Sequence, residues 1–241
     1  MIRIGSIIAV VVLHVSAGIV GSYNIIALYG WWTGNAANSI SRWGVPCLIM
    51  LAGALLLEPK KVESASLFFR RRAKRIVVPI ISWFLLYFLW LYFWHGQSIN
   101  VKFIVKRIIL GGPFYHLYFL YVIGALYLVT PAFRFYISRA SSFKRAKLII
   151  AFFSLGFLDS FVFYYLYCHP GWYDSISSFF PLFGLTFGFV GYFLAGYQLR
   201  MMTFSRKAFY FALVSLLLSL IITSVGTYIL VKHFGLSSTR L

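Results

Sequence analysis

The sequence predicts an all-α fold, a polytopic bundle of about seven transmembrane helices, and three observations carry that prediction. Hydrophobic residues make up 61% of the 241-residue chain, charged residues only 11%, and the mean hydropathy is +0.87, a balance foreign to soluble domains. Apolar runs recur along the whole length, and a bilayer core of roughly 30 Å asks for about 20 such residues per helix. The runs are separated by short breaks that are charged or rich in Gly and Pro.

Taken in order, the runs place helices near Ile4–Ile26, Val45–Leu57, Ile76–Trp94, Phe114–Phe135, Leu148–Tyr167, Phe180–Leu199 and Phe209–Val231. The second is short for a full crossing, and "NSISRWG" is expected to supply its first turn. Between the third and fourth, "INVKFIVKRIILGGP" sets Ile99, Phe103 and Ile108 at helical spacing, with Lys102, Lys106 and Arg107 elsewhere on the surface. That pattern fits either an amphipathic helix lying along the membrane interface or an ordinary loop with some helix. No internal repeat or low-complexity linker divides the chain, so 1–241 reads as a single membrane domain.

The basic residues set the orientation. Placing the N-terminus in the cytoplasm puts sixteen of the 22 Lys and Arg residues on cytoplasmic segments and six outside, as the positive-inside rule requires. With seven spans the C-terminus is then outside, and the net charge of +18 is mostly topology rather than a nucleic-acid footprint. The outer loop "CHPGWYDSISSF" carries no Lys or Arg, in agreement. Cys47 and Cys168 are far apart and lack metal-ligand spacing, so neither a zinc site nor a disulfide framework is expected.

The first eighteen residues, "MIRIGSIIAVVVLHVSAG", admit two readings. Arg3, the run to Leu13 and the small residues after it resemble a secretory signal cut after Ala17. The apolar stretch resumes at once, however, and cleavage would leave His14 without a purpose. As a retained helix, the eleven residues from Arg3 to His14 rise roughly 16 Å through about three turns, so the two side chains fall on nearly one face. A cation then marks the cytoplasmic mouth and an imidazole lies near mid-membrane, where desolvation favours its neutral, proton-accepting form. The plainer role for such a histidine is interhelical hydrogen bonding.

Polar groups inside spans are functional candidates because a charge at a helix centre costs about 2.5 to 3.5 kcal/mol on the insertion scale. Asp159, His14 and, at the head of the fourth span, His116 are the few present. The run "FFRRRAKR" before the third span serves as a positive-inside anchor in its plain reading. In its sharper one, Arg72 and Arg75 share a helix face and grip a phosphorylated ligand through bidentate contacts.

Several stretches resemble the membrane acyltransferase-3 family, integral membrane enzymes that transfer acyl groups to extracytoplasmic hydroxyls. "RIGSIIAVVVLH" is similar to its Arg-x10-His signature, and "SRWGVPCLIMLAG" to its second-helix Ser-Arg and Val-Pro pattern. "RRRAKRIVVP" holds Arg-x-x-Arg before Pro79, "FYHLYFLYVIGALYLVTP" matches a later helix opening at His116 and ending at Pro131, and "GYFLAGYQL" is like a weaker element. The nearest flavour is the branch that O-acetylates surface polysaccharide, including the enterobacterial common antigen enzyme. Three departures stand out: Ala52 replaces a frequent serine, the acidic residue usual three positions before the arginine is missing, and members usually have about ten spans. The resemblance therefore implies a chain shortened at both ends and incomplete at its C-terminus.

What the resemblance implies is transfer of an acetyl or other acyl group from cytoplasmic acetyl-CoA to a hydroxyl of a surface or lipid-linked carbohydrate, in the bacterial inner membrane and without a metal. His14 and Arg3 take the catalytic part, with His14 acting as base or as acyl carrier. Arg72 and Arg75 bind the donor's phosphates, and His116, Arg42 and Ser41 position substrate. Two rivals remain from the sequence: a transporter or flippase of a lipid-linked sugar or small anion, and an inactive remnant of the family. The later spans are poor in the ionisable groups that a polar pathway needs.

Overall fold

The computed structural model describes residues 1–22, 29–58, 64–109, 113–114, 117–167 and 180–234. Among them the chain is all α-helical: α1 (Ile2–Val20), α2 (Tyr29–Ser41), α3 (Gly44–Leu56), α4 (Ala65–Phe93), α5 (Val101–Ile109), α6 (Tyr118–Arg139), α7 (Ser142–Tyr167), α8 (Phe180–Arg200) and α9 (Arg206–Phe234).

Among the described residues five segments are long and apolar enough to cross a membrane: Ile2–Val20, Tyr29–Leu56, Ser66–Phe93, Tyr118–Arg139 and Arg206–Lys232. α7 and α8 are helical over 26 and 21 residues where the fifth and sixth apolar runs lie. Much of this surface is bare. On α9, Phe211 and Ile222 are 76% and 70% exposed, a waste of apolar area in water and the normal state of a helix whose solvent is lipid.

The second span corrects the sequence reading. It begins at Tyr29 rather than at Val45, and its first half is the whole helix α2, joined to α3 through a turn at Arg42 and Trp43. The reason is chemical: α2 buries Asn35, Asn38, Ser39 and Ser41 against other helices, so it spans with a composition that hydropathy alone discards. α4 also begins eleven residues before the expected Ile76, capped by Ser64, whose Oγ accepts from the Leu67 amide at 3.3 Å. Its 29 residues reach about 44 Å, longer than the hydrocarbon core, so a basic first third is compatible with a membrane helix. The segment around Phe103 is a helix, as the amphipathic reading expects: α5 ties to α6 through Tyr121, whose hydroxyl donates to the Ile108 carbonyl at 2.7 Å.

The chain divides into two compact units, Met1–Leu51 with Arg200–Leu241, and Ala52–Leu199. In the first, α1 and α2 run antiparallel in close register. Trp31, fully buried with Val20 and Val231, donates its indole N–H to the Val20 carbonyl at 3.1 Å. A Cβ on Gly34 would meet the Ile19 side chain at 2.6 Å, and one on Gly44 would meet the Ser6 carbonyl at 2.9 Å, so both glycines make room for the close packing of α1. In the second unit, aromatic pairs join α4 to α6 (Phe68 with Tyr127, Phe84 with Tyr121) and α7 to α8 (Phe153 with Tyr192). Gly53 lies directly on the Phe193 carbonyl, and Gly156 on Gly188, with no room for a side chain.

Candidate functional site

On α1 the buried stripe is Ser6, Ala9, Ser16 and Val20. Arg3 and His14 share the shoulder beside it, Arg3 exposed near the helix start and His14 half-buried, so the spacing read in the sequence survives as one face of a continuous helix.

The first unit also holds a polar ladder that the apolar-run reading of the sequence missed. Asn35, Asn38 and Ser39 on α2 and Arg42 in the turn just after it recur at intervals of three and four residues, which keeps them on one face. Asn38 is the central rung. Its amide nitrogen donates to the Leu13 carbonyl and to Ser16 Oγ, each at 3.3 Å, while its oxygen accepts from Arg42 Nε at 3.2 Å. Arg42 Nη2 reaches Thr227 Oγ1 on α9 at 3.5 Å, the edge of hydrogen-bonding range. One turn earlier on α2, Asn35 Nδ2 donates to the Ser224 carbonyl at 2.9 Å and to Ser224 Oγ at 3.1 Å. A buried polar group without a partner costs about 1 to 3 kcal/mol, so a ladder with these rungs joined is what allows α2 to sit in the membrane.

Register then relates Arg42 to His14. Asn38 stands opposite Leu13 and Ser16, and Gly44 stands opposite Ser6, Ala9 and Val10. Arg42 lies between these levels, within about one helical turn of His14 along the α1 axis. Ser41 is buried, and its hydroxyl donates to the Ala37 carbonyl of its own helix at 2.7 Å; toward a substrate it keeps only acceptor capacity.

In the second unit the "FFRRRAKR" run is helical from its start. Arg72 is half-buried with its guanidinium 3.8 Å from the centre of the Phe68 ring, whereas Arg75, one turn on, is exposed. A further arginine joins Arg72 on that ring. Arg134 of α6 lies 4.8 Å from the Phe68 centroid and donates from Nε to the Leu56 carbonyl at 2.6 Å. Phe68, only 1% exposed, thus carries two guanidinium groups, and the ring helps to hold both in fixed positions. Arg134 is three residues past Pro131, at the cytoplasmic end that the charge distribution assigns to this span. The late "GYFLAGYQL" element has a packing basis in the same unit: a Cβ on Gly191 would meet the Phe153 ring at 3.0 Å, and Gln198 accepts from Arg145 Nε at 3.1 Å.

His116 lies outside the described residues. The remaining candidates divide cleanly: Arg3, His14, Ser41 and Arg42 belong to the first unit, Arg72 and Arg75 to the second. Among the described residues no three His, Cys, Asp or Glu side chains cluster as a metal site.

Comparison with known proteins agrees with the signature residues. A search of curated proteins and of solved structures finds no match. The family model described as an acyltransferase domain, that of the acyltransferase-3 family, matches residues 1–239, and a match over nearly the whole chain, together with apolar helices able to span a bilayer, makes this a multi-pass membrane protein of the acyltransferase-3 family.

Proposed function

We propose that the protein is an O-acyltransferase that takes an acetyl group from acetyl-CoA on the cytoplasmic side and delivers it to a hydroxyl of a surface or lipid-linked carbohydrate in the bacterial inner membrane. Its N-terminus is cytoplasmic and seven crossings leave the C-terminus outside, the arrangement that the distribution of Lys and Arg favours. The observation that carries the reading is the face of α1 on which Arg3 and a half-buried His14 stand, in a chain whose family transfers acyl groups.

The residues divide the work by chemistry. Arg72, with Arg75 beside it and Arg134 on the same aromatic ring, offers fixed guanidinium forks to the phosphates of the donor. Arg3 adds a cation at the start of α1. His14 accepts the proton of the acceptor hydroxyl, the oxygen attacks the thioester carbonyl, the carbon–sulfur bond breaks, and the imidazolium returns its proton to the leaving thiolate. The alternative order forms an acyl-imidazole at His14 first, with the same net movement of proton and acyl group. Arg42 and Ser41 position substrate beside His14, and His116 serves the same end.

The test is transfer of radiolabelled acetyl by protein reconstituted in vesicles. Wild-type protein is expected to transfer label to membrane carbohydrate, and His14→Ala to insert normally and transfer none. Transfer by His14→Ala at the wild-type rate would remove His14 from the chemistry. Label recovered on the wild-type protein and absent from the variant would select the acyl-imidazole order.

A further inference from the structure

The first unit contains a half-buried arginine and no acid. All four Asp and Glu residues of the chain, Glu58, Glu63, Asp159 and Asp174, fall within 52–199, whereas Arg42 sits in the unit made of Met1–Leu51 and Arg200–Leu241. The polar partners of Arg42 among the described residues are Asn38 and Thr227, both neutral. They fix the guanidinium through Nε and one Nη2 hydrogen, which leaves three of its five N–H donors for other use. A cation in a membrane helix whose polar partners among the described residues are an amide and a hydroxyl is suited to receive an anion.

We propose that Arg42 is an intramembrane phosphate site, where the phosphoryl group of a phosphate-bearing substrate is held within a turn of His14. The identification of that ligand as a substrate rests on the acyltransferase reading above; the site itself does not. Phosphate is the class that fits. A guanidinium fork matches two of its oxygens, and a phosphate monoester brings up to two negative charges and three strong acceptor oxygens to the three remaining donors, where a carboxylate brings one charge and two oxygens. Arg42 is half-buried rather than sealed, so a ligand can reach it. The phosphate can arrive on a lipid or on a soluble molecule, and the two sources are separable by experiment.

The experiment uses the full chain purified in an uncharged detergent, titrated with dodecyl phosphate and separately with inorganic phosphate, and read by tryptophan fluorescence, since Trp43 adjoins the site. Dodecyl phosphate is expected to bind saturably, about tenfold or more weakly in Arg42→Gln and severalfold more weakly in Arg42→Lys, which keeps the charge but not the fork. Lys207→Gln, which removes an exposed cation of the same unit, should bind as wild type. Binding of inorganic phosphate with the same dependence on Arg42 assigns a free phosphate group; response to the dodecyl ester alone assigns a lipid-borne one. Equal binding by wild type and Arg42→Gln, or an equal loss in Lys207→Gln, overturns the site. If Arg42→Gln fails to fold, Arg42→Lys and Thr227→Val decide by the same criteria. Acetyl transfer is not the readout, so a failed titration leaves the acyltransferase reading standing, and intact binding without transfer does the reverse.

Discussion

The two units hold their arginines by different physics. In the second, Arg72 and Arg134 lie on the face or edge of the Phe68 ring at the basic end of α4, where aromatic contact fixes position and both side chains are half-buried. In the first, Arg42 is held by the side chains of Asn38 and Thr227 within a helix pair that crosses the membrane. An arginine placed on a ring near a helix end is cheap to keep charged and suits a ligand that comes and goes from water. One placed among amides inside a span costs several kcal/mol in lost hydration, and that cost is offset only where the charge is used. The contrast is what the proposed division into a donor-binding region and a reacting region predicts.

Of the variants that probe the two arginine environments, Arg42→Gln has the largest expected effect. Arg42→Gln should lower kcat/KM for acetyl transfer by about ten- to a hundredfold, because it removes a charge-assisted contact in poorly hydrated surroundings. A value near wild type would make Arg42 a structural residue. Asn38→Leu is next: it strips the ladder of its central rung and should cost about 1 to 3 kcal/mol of stability, read as a fall in the detergent melting temperature, along with roughly tenfold in activity. Asn38→Asp sharpens the point, since a carboxylate beside Arg42 should retain the fold and weaken phosphate binding by pairing with the guanidinium; unchanged phosphate binding would mean that the ladder does not aim Arg42. The smallest effect belongs to the second unit. Arg72→Lys should raise KM for acetyl-CoA severalfold with kcat nearly unchanged, because lysine stacks poorly on Phe68 and offers no fork. An unaltered KM would return the run to a role in membrane anchoring.

How much of this was visible in the sequence depends on whether the determinant was local. The α-helical membrane class was, because apolar length alone reports it, and so was the shared face of Arg3 and His14, because helix geometry over eleven residues is fixed once the helix is continuous. α2 was not. Its Asn35, Asn38 and Ser39 lower the hydropathy below that of a span, and only their partners on α1 and α9, above all Ser224 and Thr227 nearly 190 residues away, make the segment tolerable in a bilayer. The spacing of Asn35, Asn38, Ser39 and Arg42 at three and four residues was the available sign. It reads as a polar helix face when the segment is judged by periodicity instead of mean hydropathy. Arg134 was hidden for a different reason: counted among the cytoplasmic charges, it had no local mark of the Phe68 ring that it shares with Arg72, because the two arginines are 62 positions apart. The family signature itself was legible, since its pieces are short and each lies on one helix or turn.

The central claim, that the first unit carries the chemistry through His14, is tested most directly by kcat for acetyl transfer in His14→Gln at saturating acetyl-CoA, with the amount of inserted protein matched to wild type. Glutamine keeps a hydrogen-bonding side chain of similar reach but neither accepts the proton nor carries the acyl group. The account predicts a fall in kcat of about a hundredfold or more with KM for acetyl-CoA little changed. A His14→Gln enzyme that keeps wild-type kcat would contradict it.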